Sequence, residues 1–208
     1  ERNRMAAQEL VLCAQTEDVW PNGDDRIAVR KMDTLADLDG QFQCYFKPRA
    51  DVEKDPEWQH FCSYVVLRCG RLVQAYQRPA KAGESRLANA VSVGIGGHIN
   101  STDSDPHGVT SQTIWNGIVR ELDEETSISA VQSPPAFGGP VWIIRDPTNE
   151  VGKVHTGVVF IIDVEEQLPQ YAVLGCETMW ITPQQLFRNQ MLETWSRIVL
   201  QYVVGLTG

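Results

Sequence analysis

The stretch from Gln112 to Thr126 constrains the fold more than any other. Its apolar side chains fall at Ile114, Trp115, Ile118, Val119 and Leu122, the spacing of a helix with one buried face. Thr110 and Ser111 are both suitable N-caps for it. The helix carries the string Arg120-Glu121-Leu122-Asp123-Glu124-Glu125. At about 100° per residue, Glu124 and Glu125 flank Glu121 within an arc of ~100° beside the apolar stripe. Carboxylates crowded in this way raise one another's pKa. A hard divalent cation removes that penalty, and Mg²⁺ takes oxygen ligands while keeping waters and substrate phosphates in its shell. Arg120 is placed to neutralise or orient the cluster. A solvated acidic helix face has the same pattern, so the surrounding sequence has to decide.

A helix with one apolar face needs a sheet or other helices to cover. Glu9–Ala14 reads as a first strand. Ser63–Arg68 and Leu72–Gln77 read as a hairpin turning at Cys69-Gly70-Arg71. Val91–Ile95 is a strand running into Gly96-Gly97, and glycines let a backbone approach a ligand closely. Val141–Arg145, Val154–Val164 and Met179–Thr182 are further strands. Pro183 suits the first turn of a helix, and Gln190–Val204 has helical spacing at Leu192, Trp195, Ile198, Val199 and Tyr202. Residues 100–111 are a loop by composition. Residues 26–60 read as an irregular region with short helical pieces, broken by Pro48 and Pro56. The order predicts an α/β chain with a mixed central sheet covered by helices. Residues 1–60 form an N-terminal elaboration packed on the core, and 61–208 the main domain.

The 208 residues carry a formal charge of −9. That balance argues against a nucleic-acid binder, which needs a basic stripe. It leaves room for an anionic small molecule, because a bound metal supplies local positive charge. The five cysteines are odd in number and unpaired in spacing, which predicts reduced thiols and a cytoplasmic protein. No apolar run approaches the ~18 residues of a membrane span, so no membrane association is expected. His60 and Cys62 stand two residues apart without further ligand types nearby in sequence.

The glycine pair and the glutamate helix belong together. Gly97 followed by Arg120-Glu121-Leu122-Asp123-Glu124-Glu125-Thr126-Ser127-Ile128 resembles the Nudix box, G-x5-E-x7-R-E-U-x-E-E-x-G-U with U apolar. Val154–Phe160 is similar to the strand after the box, Trp180–Leu186 to the late Trp-containing strand and helix start, and Tyr76–Pro79 to the strand end before the glycine loop. The resemblance covers about residues 63–204. Phe46–Arg49, Gly83–Leu87 and Gly96–Asn100 also resemble a bacterial subgroup known only as predicted phosphoesterases. Three departures stand out. Gly97 and Arg120 are 23 positions apart where the pattern has 14, an insertion of nine residues between Asn100 and Gln112. Position 112 is Gln where the pattern has Glu, and position 127 is Ser where it has Gly. Asp103 and Asp105, both within the insertion, are carboxylates able to compensate.

The resemblance implies an α/β/α sandwich and a pyrophosphohydrolase with Mg²⁺, or Mn²⁺ in its place, acting on a small-molecule diphosphate of the form X-diphosphate-Y. It implies metal binding by Glu121, Glu124, Glu125 and the Gly97 carbonyl, with Arg120 in the catalytic set and Glu124 or Glu125 as base. Glu165, Glu166 and Glu177 are outside candidates for the base. Arg78, Lys81 and Arg86, just before the glycine loop, are candidates for substrate phosphates, Arg being suited to bidentate contact. His98 is a further substrate-binding candidate, while His155, Trp115, Trp142, Trp180 and Trp195 read as structural. The alternative is a Nudix-fold ligand-binding or regulatory module with weak or no turnover, suggested by Gln112, Ser127 and the insertion. The N-terminal elaboration offers a surface for a homodimer.

Overall fold

The computed structural model describes residues 9–23, 26–78, 89–108, 111–126, 139–167, 173 and 175–205. Among these, ten strands form one mixed sheet. They are β1 (Leu10–Gln15), β2 (Ala28–Met32), β3 (Cys44–Pro48), β4 (Trp58–Cys69), β5 (Leu72–Gln77), β6 (Val91–Ser92), β7 (Gly94–Ile95), β8 (Val141–Arg145), β9 (His155–Asp163) and β10 (Glu177–Ile181). The main path runs β10-β5-β4-β9-β8-β2. β4 and β9 are parallel, in register from His60 opposite His155 to Arg68 opposite Asp163. The remaining ladders are antiparallel.

The helices are α1 (Thr16–Val19), α2 (Arg49–Val52), α3 (Ser111–Glu125), α4 (Pro183–Phe187) and α5 (Thr194–Ile198), the last running into a π-helical turn at Val199–Val203. They cover the sheet on both faces. On β4, Phe61, Val65 and Leu67 join the core under α3 with Ile114, Trp115, Ile118 and Leu122. Tyr64 and Val66 join the opposite core with Leu186 of α4, Ile198 of α5 and the following Leu200. β9 divides likewise, Val158 and Phe160 toward α3 and Val159 toward α5. Alternate side chains of a strand point to opposite faces. With both faces covered, the strand reads as a continuous apolar run. The result is the α/β/α sandwich.

Two segments depart from the sequence reading. The stretch expected to be irregular contains β2 and β3. Both are edge strands, β2 pairing β8 and β3 pairing β1, and Pro48 at the end of β3 is tolerated at an edge. Their pairing is distant in sequence, so local pattern does not disclose it. The last helix starts at Thr194 rather than Gln190. Leu192 bridges to Val91, and the Glu193 N–H donates to the Val91 carbonyl at 3.0 Å, which holds the chain extended there. No helix among the described residues is long and apolar enough to cross a membrane. The five thiols are unbridged.

Candidate functional site

The N-terminus of α3 is fixed from another element. The Asp39 carboxylate accepts from the Ser111 N–H at 2.6 Å and from its hydroxyl at 2.9 Å, satisfying a free helical N–H where negative charge is favoured. Thr110 lies outside the described residues. The buried stripe then sets the rotation of α3, and that rotation turns Glu121 toward the glycine loop.

The loop leaves β7 at Gly96, whose φ is +142°, a backbone region that a side chain would strain. A Cβ on Gly96 would also stand 2.4 Å from the Ser63 carbonyl. Gly97 leaves room for one neighbour: a Cβ there would lie 2.8 Å from both carboxylate oxygens of Glu121. The Gly97 carbonyl accepts from the Ser63 N–H at 2.9 Å and from the Ser63 hydroxyl at 3.4 Å. Glu125, one turn beyond Glu121, faces the Gly96 backbone N–H, which pulls its pKa down. Loop and helix are therefore in direct contact through two of the three box glutamates. Glu124 is mostly exposed.

Arg120 ties the site together. Its Nε and Nη2 donate to the two oxygens of Asp103 at 2.8 and 3.0 Å. Nη1 donates to Glu121 at 2.7 Å and reaches Glu124 at 3.3 Å. Nη2 also donates to the His98 carbonyl at 2.9 Å. Asp103 is buried and closes a 3₁₀ turn, Ser101–Asp103, by accepting from the Asn100 N–H at 2.9 Å. A carboxylate from the insertion thus engages the box arginine. Gln112 does not. It donates to Asn116 at 2.8 Å and sits nine residues from Glu121, ~13 Å along the helix axis.

Burial dominates the electrostatics. It pushes the Glu121 carboxyl up to about 7, against the Arg120 hydrogen bond and charge that pull it down. Glu125 is also raised by burial, with Arg78 and the Gly96 N–H opposing. The carboxylates hold the Arg120 guanidinium above its ordinary pKa despite burial.

A cavity of 610 Å³ adjoins the glycine loop on the α5 side of the sheet, lined among others by Arg49, Arg78, Gly97, His98, His155 and Trp195. The glutamates reach the same loop from the α3 side. Arg78 donates to Glu193 at 3.0 Å. Glu193 is buried and also accepts from the hydroxyls of Tyr64 at 2.8 Å and Ser92 at 2.6 Å. Arg78 therefore borders the cavity with a fixed counter-charge. Arg86, Lys81 and Ser127 lie outside the described residues. Glu165 and Glu166 are exposed beyond the end of β9, ~26 Å along the strand from His155. Glu177 is exposed on β10, next to Cys176, whose thiol is raised by burial and then by Glu125. Trp115 is core under α3, and Trp142, Trp180 and Trp195 are partly buried against the two cores.

Sequence reasoning missed Glu193 and Ser63. Glu193 stands in what reads as the first turn of an amphipathic helix, and Ser63 in a β-rich run. Their side-chain partners are distant in sequence, apart from the Ser196 hydroxyl, which donates to Glu193 at 3.2 Å.

No family model matches the chain. Protein YmaB of Bacillus subtilis (strain 168) is 30% identical over 202 residues, spanning 92% of this chain and 96% of that protein. The crystal structure of Tm1382, assigned to the Nudix hydrolases, matches with a TM-score of 0.66 at 25% identity, covering 92% of this chain and 96% of that one.

Proposed function

Because the chain belongs to the Nudix hydrolase family, we propose that it is a Mg²⁺-dependent pyrophosphohydrolase cleaving the diphosphate linkage of a nucleotide-type or other X-diphosphate-Y substrate. One observation carries the reading. A largely buried glutamate, Glu121, is held against a glycine that leaves no space for a Cβ, with Arg120 beside it and Glu125 facing the same loop from α3.

The residues fit a hard divalent cation. The donors are carboxylate oxygens of Glu121, Glu124 and Glu125, with the Gly97 carbonyl, and oxygen is the ligand type Mg²⁺ and Mn²⁺ prefer. Burial makes the Glu121 anion unfavourable without a cation, which suits a site completed by one. When bound, the metal polarises phosphoryl oxygens and lowers the pKa of a bound water.

The chain's own residues do the rest. Arg120, gripped by Asp103, fixes the rotamer of Glu121 and faces the loop through the His98 carbonyl. Glu125 or the exposed Glu124 takes the proton of the attacking water. Arg78 and Arg86 engage substrate phosphate. His98 contacts the substrate from the loop. The cavity is of a size to hold the organic part of a nucleotide.

A ligand-binding module without turnover is the second reading. Gln112 motivated it, yet position 112 lies far along α3 from Glu121, and the carboxylate on Arg120 comes from Asp103. The test is release of phosphate or pyrophosphate with Mg²⁺ from nucleoside di- and triphosphates, nucleotide sugars, dinucleotides and ADP-ribose, with Glu124→Gln and Glu125→Gln in parallel. Metal-dependent turnover that these changes abolish is the expected result. Ligand binding without turnover on the whole panel would replace the hydrolase reading with the second one.

A further inference from the structure

A second group of ligand-type side chains lies outside the box. His60 is the third residue of β4, His98 follows the glycine pair, and His155 opens β9. One ligand nitrogen from each lies within 4.8 Å of the other two. We propose that His60, His98 and His155 form a binding site for a borderline transition-metal ion, zinc, with its remaining coordination position facing the cavity beside the glycine loop.

The first support is the hydrogen bonding. The Val151 carbonyl stands 2.6 Å from Nδ1 of His155, and a carbonyl only accepts, so that nitrogen carries the proton. Nε2 of His155 is then a lone pair, and it stands 3.1 Å from Nε2 of His98. Two imidazole nitrogens on one tetrahedral zinc, at Zn–N of about 2.0–2.1 Å, are about 3.3 Å apart. The carbonyl behind His155 is the kind of outer partner that orients a ligating histidine.

The second support is His60. It is fully buried, and neither ring nitrogen has a hydrogen-bond partner. The nearby Val52 carbonyl forms no well-made bond to it. A buried polar atom left unsatisfied is costly and asks for an explanation. The His60 ring lies 4.8 Å from the His155 ring and 5.7 Å from the His98 ring, centroid to centroid. An ordinary core histidine would show a partner on at least one nitrogen.

The third support is the charge and ligand type around the cluster. Two cations stand near the cluster, and both are paired: Arg49 with Glu9 at 3.1 Å and Glu53 at 3.3 Å, and Arg120 with Asp103 at 2.8 Å and Glu121 at 2.7 Å. Three imidazole nitrogens suit zinc better than magnesium. Three histidines with an open fourth position is the arrangement of a reactive rather than a closed zinc site. His98 and His155 line the cavity and His60 does not, so the open position points into it, available to a water or an oxyanion. Any part for that position in diphosphate cleavage rests on the hydrolase reading; the metal site does not.

The test strips the full-length protein with chelator, then supplies zinc in the presence of excess Mg²⁺, and measures retained metal by elemental analysis and the visible spectrum of the Co²⁺-substituted form. The variants are His60→Asn, His98→Gln and His155→Gln, each checked for native circular dichroism, with Glu124→Gln for the box. Expected are one retained zinc per chain in the wild type and in Glu124→Gln, a tetrahedral Co²⁺ spectrum with nitrogen ligands, and loss of both in whichever histidine variants stay folded. A folded wild type that retains no zinc would overturn the proposal. So would zinc that persists in the folded histidine variants or that disappears with Glu124→Gln. Because zinc retention is read without substrate, failure of the hydrolase reading leaves this result intact.

Discussion

Replacing Asp103 with Ala tests whether the insertion supports the box. Asp103 is only 3% exposed, and its carboxylate accepts from Arg120 twice and from the Asn100 N–H once. Charge-assisted hydrogen bonds contribute about 1.5–3 kcal/mol each but do not add fully. Removing one partner of a buried ion pair costs about 3–5 kcal/mol. The Arg120 side chain is 22% exposed and retains Glu121 and the His98 carbonyl, which lowers the cost. The expected loss is about 2–4 kcal/mol. At a urea slope of ~2 kcal/mol per M the midpoint falls by about 1–2 M. Asp103→Asn keeps the size and one acceptor and should lose about half as much. In a cycle with Arg120→Met, the two changes should couple by more than about 1 kcal/mol, as contacting residues do. Mg²⁺ affinity should fall too, because Arg120 no longer holds the Glu121 rotamer. A midpoint unchanged in Asp103→Ala, or an additive cycle, would refute the link between the insertion and the box.

Gly97→Ala puts a methyl 2.8 Å from both Glu121 oxygens; the carboxylate must move, and a displacement of ~1 Å at such a site lowers kcat by ~100-fold, with the fold retained by circular dichroism. Glu121 gives a pH signature in metal-free protein. Its folded pKa of about 7 exceeds the ordinary 4.5, so folding retains a proton there, and its contribution is fully present below pH ~4.5 and lost as pH rises through ~7, by about 3 kcal/mol. Urea titrations in chelator at pH 5 and pH 8 should show this fall in wild type and a smaller one in Glu121→Gln; equal falls would exclude the assignment. Glu193→Gln leaves the partly buried Arg78, its side chain 23% exposed, without its anion and should lower stability by about 1–3 kcal/mol, less than for a fully buried pair, read as a drop in thermal midpoint; an unchanged midpoint would show that the Arg78 contact is incidental.

Much of this arrangement was legible because its partners are close in sequence. The stripe Ile114, Trp115, Ile118 and Leu122 specifies α3 and the rotation that carries Glu121 and Glu125, and the run through Gly97 marks the loop they meet. The insertion was legible only as a choice between Asp103 and Asp105. Both are acidic, and which one faces Arg120 depends on the 3₁₀ turn at Ser101–Asp103. Edge strands β2 and β3, and the extended start of the last helix, depend on pairings with β8, β1 and Val91 that no local window contains.

The histidine triad shows what was missing more sharply. The alternation in β9 sends Val158 and Phe160 toward α3 and Val159 toward α5, so by period two His155 faces the α5 side. The same alternation in β4 puts His60 on that side with Tyr64 and Val66. Each face is therefore readable from its own strand. The absent piece is the parallel β4–β9 register, which sets His60 directly opposite His155. A one-residue slip would turn every β9 side chain to the other face and put a side chain where Gly157 packs against Ile144 and Trp195, 2.9 Å from where a Cβ would stand. The packing that forbids this slip is thus also what holds the two imidazoles together, and the Cys62–His98 bridge brings the third.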